Sequence, residues 1–400
     1  MARGGGFVAL AALGKIARAD QVVLPPLSAA SEKPAVDEPP GDAPDKRVGV
    51  AIVGIGRLVL EQILPGFEKS KHTKLVALVS GHREKALVIA QQTGVDPKRV
   101  YDYASFDKIK DDPSIDAVYI VLPNMLHAEY TVRAAAAGKH VLCEKPMATT
   151  SADAQQMVDA CKRAGRRLMI GYRMQYEPHQ RYAMRHARDK AFGKIKLVEG
   201  HNGQNMGDPN QWRLKKSAGG GSLMDVGIYC LNTTRFVLGE EPTWVQASMH
   251  STPGDPRFKD VDEIAMFQLG FPSGALGTFS SSFGSHRSQR YRVVGDNGRW
   301  IDLDPAYAYD GLELSMNQVT GKDEQRAKIA LPQKQQFALE LDHFAQCVRT
   351  GRQPFTPGEE GVQDLKLIEA IVQSAREGRR IELPHIATLD AFRGTPPADA

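Results

Sequence analysis

Two observations along the chain predict an α/β protein of two domains. Between residues 47 and 171, short β-branched runs at 48–53, 75–79, 117–122, 140–143 and 167–170 alternate with amphipathic stretches. That is the alternation of βαβ units, with a parallel sheet buried on both faces. After about Lys194 the pattern changes to strand-like runs at 196–199, 244–250, 264–271, 275–282 and 290–295. Turn signals at Phe271-Pro272-Ser273-Gly274 and Asp296-Asn297-Gly298 join successive runs into hairpins, so the second half reads as a large, mostly antiparallel open sheet.

The elements follow in order. Residues 1–46 form an N-terminal arm. Its apolar stretch at 7–13 and the small residues Ala17-Arg18-Ala19 resemble a remnant export signal, and its remainder is rich in Pro, Ala and acidic residues, a composition of extended chain. An export remnant implies a periplasmic protein and an ordinary helix a cytoplasmic one. Residues 47–171 form the first domain, in which the stretch 149–164 reads as a helix with Ser151 as N-cap and Gly165 as its stop. Residues 172–384 form the second. It closes with two helical patterns, 337–349 and 362–377, bounded by Gly351 and Gly378 and expected to pack back onto the first domain. A tail, 385–400, ends the chain.

Composition narrows the function. The 400 residues are 42% hydrophobic and 24% charged, and 51 basic against 47 acidic residues leave a net charge of only +4. No nucleic-acid footprint is implied by so small an excess, and no basic helix is present to carry one. Four widely spaced cysteines, Cys143, Cys161, Cys230 and Cys347, show neither metal-type nor disulfide-framework spacing. No apolar run approaches the roughly 18 residues that span a bilayer.

Gly54-Ile55-Gly56 follows the first strand and opens a helical pattern, so its backbone can present N–H groups and a helix dipole to a pyrophosphate. Such a strand–glycine–helix order is that of a Rossmann dinucleotide-binding domain. A third glycine or alanine would stand at position 59, where the chain has Val59, so helix and strand are expected to pack slightly farther apart. After the second strand, Ser80, Gly81, Arg83 and Lys85 replace the acidic residue of an NAD-selective site. Loss of that carboxylate, with hydroxyl and cationic groups nearby, favours a 2′-phosphate and hence NADP.

Glu144-Lys145-Pro146 closes another strand at the ligand end of the sheet, where a lysine can point at a nicotinamide or can equally be a surface lysine. Asp225 and Tyr229 lie four apart after the run Gly219-Gly220-Gly221, on one face of a helix. A lysine ammonium beside a phenol favours the phenolate and so makes a base. A buried, hydrogen-bonded tyrosine with a capping aspartate reads the same residues without catalysis. Trp212-Arg213 sets an aromatic plane beside a guanidinium, suited to sugar stacking or phosphate contact. His201, His250 and His286 are read as structural.

These motifs coincide with Gln62-Ile63-Leu64-Pro65-Gly66-Phe67, Leu122-Pro123-Asn124 with His127, Ile170-Gly171-Tyr172-Arg173 and Gln211-Trp212-Arg213-Leu214. Together they resemble the Gfo/Idh/MocA oxidoreductase family, from about residue 48 to 384, and within it the glucose–fructose oxidoreductase branch, in which Tyr stands where most of the family has His. The resemblance implies NADP held through the cycle, an arm that wraps it, small-molecule sugars as substrates and a homo-oligomer built through the open sheet. It implies Lys145, Tyr229 and Asp225 as catalytic. It implies Gly54, Gly56, Arg57, Leu58, Ser80, Gly81, Arg83, Lys85, Tyr103, Leu122, Pro123, Asn124, His127, Glu144, Lys145, Arg173, Trp212 and Arg213 at the cofactor, and Lys145, Arg173, Asp225, Tyr229 and Tyr309 at the sugar. The expected chemistry is oxidation of a cyclic aldose at C1 and reduction of a second sugar by the retained cofactor. Two rival readings are an aldose 1-dehydrogenase with exchangeable NADP and a non-catalytic sugar or NADP sensor.

Overall fold

The computed structural model describes residues 41–320 and 322–397. The apolar stretch, the small-residue site and the proline pairs of the arm lie outside the described residues.

Six strands, β1 (Val48–Val53), β2 (Thr73–Val79), β3 (Val100–Tyr101), β4 (Ala117–Ile120), β5 (His140–Glu144) and β6 (Leu168–Gly171), form a wholly parallel sheet in the order β3-β2-β1-β4-β5-β6. That order is the doubly wound Rossmann arrangement, whose switch point between β1 and β4 opens a crevice beyond the strands' carboxyl ends. β1 and β4 are buried at every position because helices cover both faces. The crossovers carry α1 (Leu64–Lys69), α2 (Arg83–Thr93), α3 (His127–Ala136) and α4 (Ser151–Arg163). The cap of α4 is Thr150, not Ser151: the Thr150 hydroxyl accepts the Asp153 N–H at 3.1 Å, which leaves Ser151 as the first helical residue.

Helix α5 (Pro178–Arg188) leads into the second sheet, which adds β7 (Ile195–Asn205), then α6 (Ile228–Leu238), β8 (Trp244–His250), β9 (Ile264–Gly270), β10 (Leu276–Ser282), β11 (Gly284–Gly295), β12 (Trp300–Leu303), β13 (Leu314–Thr320) and β14 (Asp323–Ile329). Helices α7 (Gln336–Thr350) and α8 (Gly358–Glu377) follow, and β15 (Ile381–Glu382) completes a nine-stranded sheet in the order β14-β13-β12-β11-β7-β10-β9-β8-β15. It is antiparallel except for β10 beside β7. The two predicted hairpin turns join β9 to β10 and β11 to β12. Helix α6 packs on the inner face against β7 and β10. Helix α7 packs on α1, β1 and β2, and α8 lies across α4, β6 and β8, so both C-terminal helices tie the second domain to the first. Among the described residues no helix is long and apolar enough to cross a membrane.

The last residues of the arm are anchored. Asp42 donates its backbone N–H to Lys71 O at 2.9 Å, and its carboxylate pairs with His72 at 2.6 Å and with Arg349. His72 immediately precedes β2, so this anchor sits at the amino ends of the strands, across the sheet from the crevice.

Candidate active site

The crevice begins at the glycine turn. Gly54 has φ +94°, and a Cβ there would come within 2.3 Å of Val121 O, so only glycine lets β1 turn against β4. Nothing lies within 4 Å of a Cβ built on Gly56, whose backbone faces open space. Val59 is fully buried and starts a π-helical turn, Val59–Ile63. The helix thus accommodates the larger side chain by widening its first turn. The residues present fit a dinucleotide: a glycine turn, a helix opening behind it and Lys85, whose ammonium donates to Ile55 O at 2.7 Å. Burial pushes the Lys85 ammonium below its ordinary range.

Along the β2 edge, Ser80 is buried and its hydroxyl accepts the His82 N–H, while Arg83 donates to Val100 O. The Tyr103 ring lies 3.2 Å from a Cβ built on Gly81. Arg57 is exposed and pairs with Glu61, and Leu58 is half-buried.

Two residues expected at the cofactor have side chains bonded within the protein. His127 is fully buried, its ring nitrogens 2.9 Å from Pro146 O and 2.8 Å from Leu122 O, and burial lowers its pKa. It therefore ties Leu122-Pro123 to Pro146 and shapes the crevice wall. The buried Glu144 carboxylate turns beneath the sheet, where it accepts from Tyr119 at 2.7 Å. Gly171, its partner across β6, leaves room for it.

The catalytic candidates converge, though not as a helix face would arrange them. Asp225 belongs to a π-helical turn, Leu223–Gly227, that opens α6, and Tyr229 stands in the first turn of α6 proper. In the wider turn the Asp225 carbonyl is available to Lys145, whose Nζ donates to it at 2.8 Å and to Oδ1 at 3.1 Å. The other carboxylate oxygen accepts Arg213 Nε at 3.1 Å, and the Arg213 guanidinium lies 4.5 Å from the Trp212 ring. Burial works against the Asp225 carboxylate, but the Lys145 and Arg213 charges outweigh it and hold the carboxyl below its ordinary range. Burial likewise works against the Lys145 ammonium, and Asp225 outweighs it, so the lysine titrates above its ordinary range.

Lys145 does not reach the Tyr229 hydroxyl. Its Nζ lies 4.6 Å from the ring centroid, over the face, and the group bonded to the hydroxyl is Arg173, through Nε at 3.3 Å. Arg173 is itself buried and held by Tyr307 O at 2.7 Å, Ala308 O at 3.2 Å and the Gln336 side chain. Its guanidinium is also 4.4 Å from the ring of Tyr309, which is 41% exposed at the mouth. Asn124 closes the glycine run from the other side, donating to Gly219 O at 2.9 Å. A small cleft beneath Tyr229 is lined by Lys145, Tyr172, Met174, Ile228, Asn232 and Thr233.

Sequence reasoning missed Gln336, Tyr307 and Glu340. Gln336 and Glu340 come from α7, far along the chain, and no local motif marks them. Tyr307, two residues before Tyr309, acts here through its backbone.

A Rossmann sheet joined to an open α/β sheet, with a lysine, a tyrosine and an aspartate meeting at the crevice, defines a nicotinamide-dependent oxidoreductase. Comparison with known proteins agrees. Residues 48–172 match the model of the oxidoreductase family, NAD-binding Rossmann fold, and residues 188–383 match that family's C-terminal alpha/beta domain. The chain belongs to the Gfo/Idh/MocA oxidoreductase family. It is 33% identical to D-xylose 1-dehydrogenase [NADP(+)] of Haloarcula marismortui, over 85% of this chain and 94% of that protein. The crystal structure of aldose-aldose oxidoreductase from Caulobacter crescentus, complexed with glycerol, superposes with a TM-score of 0.81 at 45% identity, covering 84% of this chain and all of that one. Levoglucosan dehydrogenase in complex with NADH and levoglucosan, at 23% identity and a TM-score of 0.75 over 85% of this chain and all of that one, shares the fold.

Proposed function

We propose that this protein is a sugar oxidoreductase with tightly held NADP, which oxidises a cyclic aldose at C1 to a lactone and reduces a second sugar carbonyl to an alditol in ping-pong order. The observation that carries the reading is Tyr229, its hydroxyl bonded by buried Arg173 at 3.3 Å and its ring under Lys145, at the ligand end of the parallel sheet. The 45% identity to an aldose-aldose oxidoreductase supports the two-sugar chemistry.

Gly54, Gly56 and the α1-side turn would hold the pyrophosphate, and Ser80, Arg83 and Lys85 the 2′-phosphate. When bound, the nicotinamide supplies the site that accepts a hydride from the first sugar and returns it to the second. The chain's own residues handle the proton. Tyr229 takes the C1 hydroxyl proton in the oxidative half and gives it back to the acceptor oxygen in the reductive half. Arg173 and Lys145 keep positive charge next to the oxygen that gains negative character, and Trp212 and Tyr309 border the sugar.

The chain also forms a homo-oligomer through the outer face of the large sheet, where Leu197, Met266 and Leu276 on neighbouring strands are 45–57% exposed. Sedimentation of a species heavier than one chain tests this. A second reading, an aldose 1-dehydrogenase with exchangeable NADP, is favoured by the 33% identity to a D-xylose 1-dehydrogenase.

One experiment separates the readings. The protein is purified without nicotinamide, its bound cofactor is extracted from one portion by denaturation, and an aldose alone is added to the native remainder. Stoichiometric NADP that is reduced by the aldose and reoxidised by a second sugar supports the two-sugar enzyme. An empty protein that turns over only with added NADP makes it a conventional dehydrogenase. Bound NADP that no sugar reduces makes it a sensor.

A further inference from the structure

Beneath the catalytic floor lies a group of titratable side chains that the mechanism above does not use. Tyr119 on β4, Glu144 on β5 and Glu340 on α7 are all buried. The Tyr119 hydroxyl lies 2.7 Å from Glu144 Oε1 and 3.4 Å from Glu340 Oε2. The other Glu340 oxygen, Oε1, has no hydrogen-bond partner among the described residues. Glu144 Oε2 accepts the backbone N–H of Lys145 at 3.3 Å, so this carboxylate touches the strand end from which the lysine emerges.

A proton count follows from the geometry. The hydroxyl of Tyr119 has one proton to give and two carboxyl groups beside it. Its shorter contact, to Glu144, takes that proton. The contact to Glu340 is then a hydrogen bond only if Glu340 supplies the hydrogen. Two carboxylates facing one hydroxyl in a dry interior repel each other, so one of them keeps its proton. The cations decide which. Burial pushes the Glu144 carboxyl up as well, but Tyr119, Lys145 and Arg173 pull it back, so it is the one fitter to ionise, whereas Glu340 has only Arg173 and the Tyr119 hydroxyl against burial and the Glu144 charge.

We propose that Glu340 is a positioning residue that stays protonated: its carboxyl donates to Tyr119, which donates to ionised Glu144, which fixes the backbone at Lys145. Burial and the neighbouring Glu144 charge both hold the Glu340 carboxyl well above the ordinary carboxylate range, in agreement. The consequence is an unbroken line of hydrogen bonds from α7, the helix that also carries the Gln336 contact to Arg173, to the Lys145 backbone. A helix of the second domain thereby sets the position of a lysine on the first.

The test has two parts, and the second rests on the functional reading above. First, infrared difference spectra at neutral pH are taken between the wild-type holoenzyme and Glu340→Gln, which keeps the size and a donor for Tyr119. The carbonyl stretch of a protonated carboxylic acid should be present in the wild type and lost in Glu340→Gln. Second, steady-state rates with an aldose are compared for Glu340→Gln and Glu340→Leu. Glu340→Leu should lower kcat about tenfold with KM nearly unchanged, because a lost support shifts a reacting group by a fraction of an ångström. Glu340→Gln should recover most of that loss, since a neutral donor is what the position requires. The proposal is overturned if the band survives in Glu340→Gln, or if Glu340→Gln is as impaired as Glu340→Leu. Should Glu340→Leu fail to fold, the infrared comparison decides alone. A wild type that shows the band but turns over no sugar overturns the functional reading and leaves the protonated Glu340 standing.

Discussion

Replacing Asp225 by Asn isolates the ion cluster that holds Lys145. The carboxylate is 3.1 Å from Lys145 Nζ and 3.1 Å from Arg213 Nε, with about a tenth of each of the Asp225 and Lys145 side chains exposed. At an effective dielectric constant of about 20, one such contact is worth roughly 5 kcal/mol of attraction, and desolvation of the ions takes back several kcal/mol. Asn keeps the shape and leaves the bond from Lys145 to the Asp225 carbonyl, so the expected loss is near the low end for breaking a buried pair, about 3 kcal/mol. Over an unfolding entropy for about 400 residues that is a fall in Tm of about 4 °C. The sign with pH is fixed. Asp225 has a lowered folded-state pKa, so its contribution is present above the unfolded value of 3.8 and disappears as pH falls through the folded value. Wild type and Asp225→Asn should therefore converge in acid. Burial, now opposed only by weaker charges such as Glu144, also lowers the Lys145 pKa in the variant. Acylation of Lys145 by an amine-directed reagent, read by peptide mass spectrometry across a pH series, should begin at lower pH than in the wild type. An unchanged labelling profile would mean that Asp225 does not hold the lysine charge.

Three further outcomes are expected. Tyr229→Phe should lower turnover by about two to four orders of magnitude, the usual worth of acid–base catalysis; near-native rates with NADP still bound would remove Tyr229 from the chemistry. Ser80→Asp places a carboxylate where a 2′-phosphate is expected and should weaken NADP at least tenfold more than NAD, as repulsion of about 1.4 kcal/mol or more requires; equal weakening of both, read by titration calorimetry, would move the 2′-phosphate site elsewhere. Asp364 has its pKa raised from 3.8 to about 6, chiefly by burial, with the Arg235 charge opposing. Its contribution to stability is complete below the unfolded value and is lost as pH rises to about 6, a fall of about 3 kcal/mol. Melting curves of Asp364→Asn should lack that fall.

Where chemistry is carried by short-range pattern, it was legible in the sequence. The glycine turn, the Glu144-Lys145-Pro146 strand end and both C-terminal helices depend on local spacing, and periodicity locates them. Val59 was legible only as a departure: the widened turn that answers it is a tertiary adjustment. The assumption that Asp225 and Tyr229 share an α-helical face missed the π-helical turn for the same reason, since residue types do not distinguish a wide turn from a regular one. Strand β14 was unread because most of its side chains are exposed, which leaves no apolar alternation, and helix α5 because it buries His179, Gln180 and Arg181 among its apolar residues. His127 and Glu144 stand at positions where the crevice is near, and only packing determines that they point inward, to Pro146 O and Tyr119.

The charges around the crevice account for why so many ionic groups are buried there. Lys145, Arg173 and Arg213 bring three positive charges, Asp225 and Glu144 two negative ones, and neutral Glu340 none, so one positive charge is in excess, the charge that balances the phenolate Tyr229 must be to take a proton in the proposed reaction. An isolated excess charge in a low-dielectric site is costly unless an anion meets it. In the proposed oxidative half-reaction negative charge would pass from Tyr229 to the sugar oxygen as the proton moves the other way. A group of fixed cations, each held by carbonyls or carboxylates before substrate arrives, stabilises that charge without reorganising. Arg173 fits this role well, because Tyr307 O, Ala308 O and Gln336 hold its other nitrogens and leave Nε directed at the Tyr229 hydroxyl. Ionising Glu340 as well would cancel the excess. The proton on a side chain beneath the sheet and the proton of the proposed transfer at the crevice are therefore parts of one charge balance.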